Sequence, residues 1–132
     1  MNAAARSVIG IWRLKHITST LANLHWLKVS ERIKFKLAVL TYRCLRGAAP
    51  RYLTDDIRLL SDIPSRRVLR SSSRNELVIK STRLLTVGDR AFSYAAPRVW
   101  NSLPMDVTSA SSLPSFRRRL KTHLFQFAFS MN

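Results

Sequence analysis

The sequence predicts a mainly α-helical fold, and three observations support this prediction. Residues 30–46 and 113–127 carry apolar side chains at the three- and four-residue spacing of amphipathic helices. Each of these segments begins near a serine that suits a helix N-cap, Ser30 or Ser112. The third observation is that the segment interpreted as a strand, Leu77–Lys80 with the β-favouring Val78 and Ile79, is short. We therefore expect a small helical domain with a possible short β-hairpin near residues 67–80.

The N-terminal part of the chain contains two weaker helical segments. Residues 2–9 predict a short helix, which could be the end of a longer helix that began upstream. Residues 18–27 are ambiguous, because Thr18 or Ser19 could cap a short helix there.

The clearest predicted helix covers residues 30–46, with Gly47 as its stop signal. It has two apolar faces, which predicts that it is sandwiched between two layers. The faces consist of Ile33, Leu37, Leu40 and Cys44, and of Phe35, Ala38, Tyr42 and Leu45. A third strip, within about 40° on the helical wheel, contains Arg32, Lys36 and Arg43. Because unpaired buried charge is costly, this strip must face solvent, an acidic partner or phosphate.

The middle of the chain predicts shorter elements. Pro50 suits a first helical position and predicts a helix over residues 50–60. Residues 61–76 are rich in Ser and Arg and predict a loop. Within and after this loop, Val68–Arg70 could pair with Leu77–Lys80 in the hairpin.

Two short helices are expected next, over residues 89–95 and 97–103, separated by Pro97 and stopped by Pro104. Trp100 is interpreted as a core anchor.

The last predicted helix covers residues 113–127, with Ser112 as N-cap and Pro114 near its first position. Its shared apolar face contains Leu113, Phe116, Leu120, Leu124 and Phe127. Phe125 and Phe129 fall on the far side, where they would fray into solvent or bury against something outside this chain.

The charge balance indicates a polyanionic partner. Among 132 residues, 23 Lys and Arg face 7 Asp and Glu, for a formal charge of +16. RNA or DNA is the first candidate, because cations that neutralise phosphates release counterions and gain sequence-independent affinity. An anionic membrane surface and a basic surface without function are the alternatives.

Three clusters of basic residues are the candidate nucleic-acid-binding sites. They are the strip Arg32, Lys36 and Arg43, the loop cluster Arg66, Arg67, Arg70 and Arg74, and the run Arg117, Arg118, Arg119 and Lys121. Arginine predominates in the last two, which suits bidentate contact with phosphate. For each cluster the alternative is a solvated face. The aromatic residues Trp26, Tyr42, Phe92 and Trp100 could stack bases, although core packing is the favoured interpretation.

Catalysis is not expected, because the sequence lacks a convergent set of reactive groups. Asp55 and Asp56 are adjacent, so on a helix they would point about 100° apart. The histidines have no paired His or Cys at ligand spacing. Cys44 is interpreted as an inert buried thiol. We therefore expect no catalytic residue, metal, cofactor or small-molecule substrate.

The cellular location is predicted from the number of cysteines and from the length of the apolar runs. A single cysteine excludes an internal disulfide, and the chain has no Asn-x-Ser/Thr glycosylation site. No apolar run approaches the ~18 residues of a membrane span. These features favour an intracellular, cytoplasmic or nuclear, location. Residues 1–30 contain no acid, so a mitochondrial presequence is the alternative.

The sequence resembles, over nearly its whole length, the region after the polymerase core in reverse transcriptases of LINE-type, non-LTR retrotransposons of the jockey-like group. The most specific segments are Trp-Asn-Ser-Leu-Pro at 100–104 and Phe-x-x-x-Leu-Lys-Thr-His-Leu-Phe at 116–125. Further similar segments, in the same order, lie at 2–6, 16–18, 24–27, 31–33, 36–37, 41–45, 47, 49–53, 67, 69–72, 82–84, 88–93 and 95–99. The chain departs from the family at Lys28, where proline is usual, and at Lys15, where an acid is usual.

The resemblance implies a non-catalytic C-terminal fragment of an RNA-directed DNA polymerase. The Tyr/Phe-Ala-Asp-Asp motif that the family's polymerase uses is absent from this sequence. The resemblance therefore implies a chain that is truncated before the polymerase active site and does not contain it. Residues 1–24 would be an N-terminal arm, the remnant of a longer upstream helix, and residues 25–132 a basic thumb-like or post-thumb domain. Such a domain would help to hold RNA and DNA. Alternatives are a structural module that docks on the upstream polymerase domain, or a relic reading frame without function.

Overall fold

The computed structural model describes residues 2–10, 17–63, 75–81 and 88–130, and this part of the chain is mainly α-helical, as the sequence predicts. The α-helices of the described residues are α1 (Asn2–Ile9), α2 (Thr18–Asn23), α3 (Val29–Leu45), α4 (Arg51–Thr54), α5 (Phe92–Asn101), α6 (Met105–Thr108) and α7 (Leu113–Phe129). Two single turns of 3₁₀-helix lie at Leu60–Asp62 and Gly88–Arg90.

The core forms where α3 packs against α5 and α7. Phe116 of α7 is fully buried at its centre. Its ring stacks against Tyr42 of α3, with 4.4 Å between ring centroids, and lies 5.8 Å from the ring of Trp100 of α5. Burying large apolar side chains stabilises a fold by about 1.5–3 kcal/mol each. These three aromatic residues therefore connect the three main helices.

Helix α3 begins one residue earlier than predicted. Lys28 occupies the N-cap position without a side-chain capping bond. Ser30 lies inside the helix, where its hydroxyl donates to Oε2 of Glu31 at 2.6 Å. The predicted end is confirmed, because Gly47 has a φ of +67°, a left-handed conformation that glycine adopts without steric cost.

The predicted burial of both apolar faces of α3 is wrong at Ile33 of the first face. Ala38 and Tyr42 of the second face are buried in the core. On the first face Cys44 is buried, but Ile33 is 56% exposed. The second face carries the contact with α7, because Tyr42 stacks on Phe116, and Ile33 on the first face is left exposed.

The segment after α3 is less helical than predicted. Helix α4 is a single turn, and Pro50 is its N-cap rather than its first residue. Residues 58–60 then run antiparallel to residues 76–78: the Leu60 N–H donates to the Glu76 carbonyl at 2.8 Å, and the Val78 N–H to the Arg58 carbonyl at 2.9 Å. This isolated bridge, Leu59 with Leu77, needs an extended backbone at Leu59, so the predicted helix cannot reach residue 60.

The predicted β-hairpin is tested on one side alone. Leu77–Lys80 pairs through Leu77 with Leu59, and no strand is found in the described residues. Its other side, Val68–Arg70, lies outside the described residues.

The predicted helix break at Pro97 is wrong, since α5 runs through it from Phe92 to Asn101. Proline removes one helical hydrogen bond and costs about 3 kcal/mol in a helix interior. Pro97 is nevertheless fully buried beside Ala96 and Trp100, and this burial against the core offsets the cost. Trp100 is a core residue, as predicted.

Helix α7 begins as predicted, because the Ser115 N–H donates to Oγ of Ser112 at 3.4 Å. Of the expected apolar face, Phe116, Leu120 and Leu124 are buried, but Phe127 in the last turn is 53% exposed. Phe127 lies at the end of the helix, where the ammonium of Lys34 is 5.3 Å from its ring centroid. The apolar face is thus covered for its first three turns.

Candidate nucleic-acid interface

A cleft of about 510 Å³ opens between the N-terminal helices and α7. We call it the basic cleft, and it is lined by Ala4, His25, Trp26, Leu27, Arg32, Phe35, Lys36 and Lys121. The lining residues come from α1, from the loop between α2 and α3, from α3 and from α7. Residues that are far apart in sequence, at 32–36 and 121, therefore meet at this site.

The cleft combines aromatic and cationic side chains. Trp26 and Phe35 are half-buried, whereas Arg32, Lys36 and Lys121 are exposed. No Asp or Glu is among the lining residues. Three exposed cations in a cleft that no carboxylate lines give a positive potential that attracts anions.

Helix geometry explains why the cations share one side. Arg32 and Lys36 are four residues apart on α3, so they are neighbours on its surface. On α7, Arg117 and Arg118 lie four and three residues before Lys121. They are exposed and extend the cationic surface by one turn from Lys121. The predicted strip and the predicted run thus meet in part at the basic cleft.

The loop that carries Trp26 has a specific backbone geometry. The Trp26 N–H donates to the Leu21 carbonyl at 2.9 Å, and the His25 N–H to the Ala22 carbonyl at 3.0 Å. This is the Schellman pattern that ends a helix, and its left-handed position is usually glycine. Here it is His25, with a φ of +51°. A non-glycine residue in this conformation is strained by about 1–2 kcal/mol.

Contacts with the end of α7 hold the loop in place. The His25 ring stacks on Phe125 with 5.4 Å between centroids and 10° between planes. Phe125 in turn contacts Phe129 at 4.6 Å. The Lys28 ammonium donates to the Ala128 carbonyl at 2.9 Å and lies 5.1 Å from the Phe129 ring centroid. Phe125 and Phe129 are therefore covered by this chain itself, and the expectation that they need solvent or an outside partner is wrong.

Arg43 lies apart from the basic cleft. It is seven residues beyond Lys36 on the same side of α3, a rise of about 10 Å. It lines a second, smaller cleft of about 250 Å³ together with Tyr42, Arg46, Ala48, Ser111 and Leu113. Arg46, which the sequence reasoning missed, donates to the Ala110 carbonyl at 3.3 Å, and its guanidinium carbon lies 5.4 Å from the centroid of the Tyr42 ring.

Arg119 is turned away from the basic cleft. Its Nη1 donates to the Asp106 carbonyl of α6 at 2.7 Å. On α7 it is about 160° from Lys121 around the helix axis. The structure therefore does not bring Arg119 together with Arg117, Arg118 and Lys121, because consecutive helical residues point in different directions.

The remaining predicted site residues are Arg66, Arg67, Arg70 and Arg74, and all four lie outside the described residues. Of the aromatic candidates, Tyr42 and Trp100 are core residues, and Trp26 lines the basic cleft. The sequence reasoning missed His25 and Phe35. Phe35 is three residues after Arg32, so its position beside the cationic strip was available from helix periodicity.

A third cleft, of about 390 Å³, lies beside the segment Trp100–Met105 and is also lined by Asn75, Glu76, Thr108 and Ser109. Some of its polar groups already form hydrogen bonds within the protein. The Trp100 Nε1–H, for example, donates to the Asn75 carbonyl at 2.9 Å. Glu76 makes this cleft less suited to an anionic ligand.

The described residues show no arrangement for metal chemistry. Within them, no group of three or more His, Cys, Asp or Glu side chains converges. Cys44 is buried, and burial raises the pKa of its thiol above the ordinary value of 9.0, against a weaker opposing effect of the Thr54 side chain. Across the ranges that the structure describes, none of the helices has the length and apolar character to cross a bilayer.

Comparisons with protein-family models, with curated proteins and with solved structures found no match to this chain.

Proposed function

We propose that this chain is a non-catalytic C-terminal segment of a LINE-type retrotransposon RNA-directed DNA polymerase, and that it binds the backbone of RNA or DNA electrostatically. The observation that supports binding is the convergence of Arg32 and Lys36 from α3 with Lys121 from α7 on one cleft without a carboxylate. The family assignment depends on the sequence resemblance.

The mechanism is neutralisation of phosphates by side chains that are already in place. Each Arg or Lys that contacts a phosphate releases condensed counterions, so affinity falls steeply as salt rises. Arg117 and Arg118 extend the same surface and would follow the backbone beyond the cleft. Such contacts set position and affinity and carry no sequence information by themselves.

The two most family-specific segments have a structural explanation that agrees with the proposal. Trp100 and Phe116 meet in the core, and the segments that follow them supply Asn101, Leu120 and Leu124 to the same packing. Residues that maintain the fold need not touch nucleic acid, which leaves binding to the exposed cations of α3 and α7.

The experiment is a salt titration of binding by fluorescence anisotropy, with labelled single-stranded RNA and the full chain. We expect a linear fall of log affinity with log salt, with a slope of about −0.7 per phosphate contact for a single strand. The triple variant Arg32→Gln, Lys36→Gln, Lys121→Gln should reduce the slope by about 2.

The matched control removes the same charge elsewhere. Arg51, Arg58 and Arg90 are exposed and lie outside the basic cleft, so their triple change to Gln also lowers the charge by three. If the control weakens binding as much as the cleft variant, net charge rather than the cleft is responsible. Affinity that does not respond to salt would overturn the proposal.

A docking module is the second candidate, and one observation favours it. Val29 and Ile33 are each 56% exposed and lie four residues apart on α3. Exposed apolar residues on one helix face are typical of a surface that contacts another protein domain, here the upstream polymerase domain. This candidate predicts that the lone chain binds hydrophobic dyes and that Ile33→Glu abolishes dye binding, whereas cooperative unfolding without dye binding contradicts it.

A further inference from the structure

The aromatic residues of the basic cleft are not explained by phosphate binding. Trp26 and Phe35 line a site whose exposed part is cationic, and both are half-buried. Phe35 also packs against the core, so Trp26 is the aromatic residue that phosphate binding leaves unexplained. A phosphate needs hydrogen-bond donors and positive charge, which an indole face or a phenyl ring does not supply.

We infer that the basic cleft receives an unpaired base of single-stranded nucleic acid, which stacks on Trp26 while Arg32, Lys36 and Lys121 hold the adjacent phosphates. This inference rests on the proposed function and makes it specific, because it selects single strands over duplexes. A paired base is stacked on its neighbours and does not offer its face to a side chain.

The chemistry of the lining matches such a ligand. A volume of about 510 Å³ is within the usual range of about 300–1,000 Å³ for small-molecule sites and accommodates one nucleotide. A nucleotide has a flat, polarisable ring and an anionic group, and the cleft places aromatic rings next to cations. Nonspecific binders of single strands combine the same two features.

The loop geometry holds Trp26 ready for binding. The strained φ of +51° at His25 forms part of the Schellman turn that precedes Trp26. Stacking of His25 on Phe125 of α7 fixes this turn to the helix that supplies Lys121. Trp26 and Lys121 are thus positioned by one connected set of contacts, which lowers the entropic cost of binding.

The experiment compares two strands with equal charge. One is a homothymidylate of about 15 nucleotides, and the other has the same length and backbone but abasic sites in place of every base. We expect the unmodified chain to bind the homothymidylate about tenfold more tightly than the abasic strand at the same salt concentration, because base–aromatic stacking is lost. Equal affinities would overturn the inference and leave phosphate binding intact.

Variants then test whether Trp26 is the residue on which the base stacks. Trp26→Leu should lower the affinity for homothymidylate about tenfold and leave the affinity for the abasic strand unchanged, whereas Trp26→Phe should retain most of the preference. Tyr52 is 72% exposed and lies outside the cleft, so Tyr52→Leu is the matched control and should change neither affinity. Circular dichroism checks that each variant is folded.

The possible outcomes distinguish a failure of base stacking on Trp26 from a failure of the proposed electrostatic binding. Salt-dependent binding that is equal for both strands refutes base stacking and retains electrostatic binding. Binding to neither strand, and to no homouridylate RNA, refutes both. A base preference that survives Trp26→Leu in a folded protein also refutes the inference, because another site must then hold the base. The comparison on the unmodified chain decides the matter even if Trp26→Leu does not fold.

Discussion

Asn101 binds the backbone of Leu77 through both ends of its carboxamide. Its Nδ2 donates to the Leu77 carbonyl at 2.9 Å, and its Oδ1 accepts the Leu77 N–H at 2.9 Å. The side chain thus takes the place of a neighbouring strand on one side of Leu77. Together with the bond from Trp100 to Asn75, it attaches residues 75–77 to the end of α5. The Trp-Asn pair therefore has a structural role.

Replacement of Asn101 with Ala should destabilise the protein by about 1–3 kcal/mol, because it leaves both backbone groups of the buried Leu77 without this partner. Urea unfolding followed by circular dichroism measures the change. Asn23→Ala is the control, since Asn23 is exposed at the end of α2. A loss of stability for Asn101→Ala no larger than that for Asn23→Ala would contradict the structural role of the Asn101 carboxamide.

Tyr42 offers a test that separates a hydrogen bond from ring packing. Its hydroxyl donates to the buried Ala110 carbonyl at 2.9 Å, and its ring stacks on Phe116. Tyr42→Phe should cost about 0.5–1.5 kcal/mol, because Arg46 still donates to that carbonyl. Tyr42→Ala should cost about 3–5 kcal/mol, because a cavity is added. The exposed Tyr52→Phe should cost nothing measurable, and a similar loss at both tyrosines would disprove this account.

His25 predicts an unusual order of stability between two small replacements. Both His25→Gly and His25→Ala lose the stacking on Phe125, so their difference reports on the backbone alone. Because the φ of +51° suits glycine, the Gly variant should be more stable than the Ala variant by about 1 kcal/mol. At Ala22, inside α2, the change to Gly should instead destabilise. Thermal unfolding measures both, and an Ala variant more stable than the Gly variant would show that the turn is not left-handed.

Cys44 makes the stability of the protein depend on pH in the alkaline range. Burial raises the pKa of its thiol in the folded state above the ordinary value of 9.0. The folded state therefore favours the protonated thiol, and this contribution is complete below pH 9 and is lost as pH rises through the folded pKa.

The measurement is the difference in unfolding free energy between the natural chain and Cys44→Ala at about pH 7 and at about pH 10. The advantage of cysteine should shrink at the higher pH, and every other residue is the same in both proteins, so the difference reports on Cys44. Parallel pH profiles would mean that Cys44 does not titrate with folding.

Local sequence patterns were sufficient to predict that the two long helices, α3 and α7, exist. The C-terminal end of α3 and the N-terminal end of α7 follow from signals at Gly47 and Ser112, because these act within a few residues. The same patterns indicated Trp100 as a core residue and placed Arg32 and Lys36 on one strip, since both inferences need no knowledge of the rest of the chain.

Contacts between residues that are distant in sequence determined the features of the fold that local patterns did not predict. Pro97 stays inside α5 because burial offsets a local cost, and Leu59 is extended where it forms a bridge with Leu77. The basic cleft requires α3 and α7 to meet, so residues 32–36 and 121 could not be grouped by periodicity. Charge and helical spacing along the chain are local properties that the sequence determines. Which faces are covered, and which cations converge, depends on packing free energy summed over the whole fold, and the tertiary structure alone decides it.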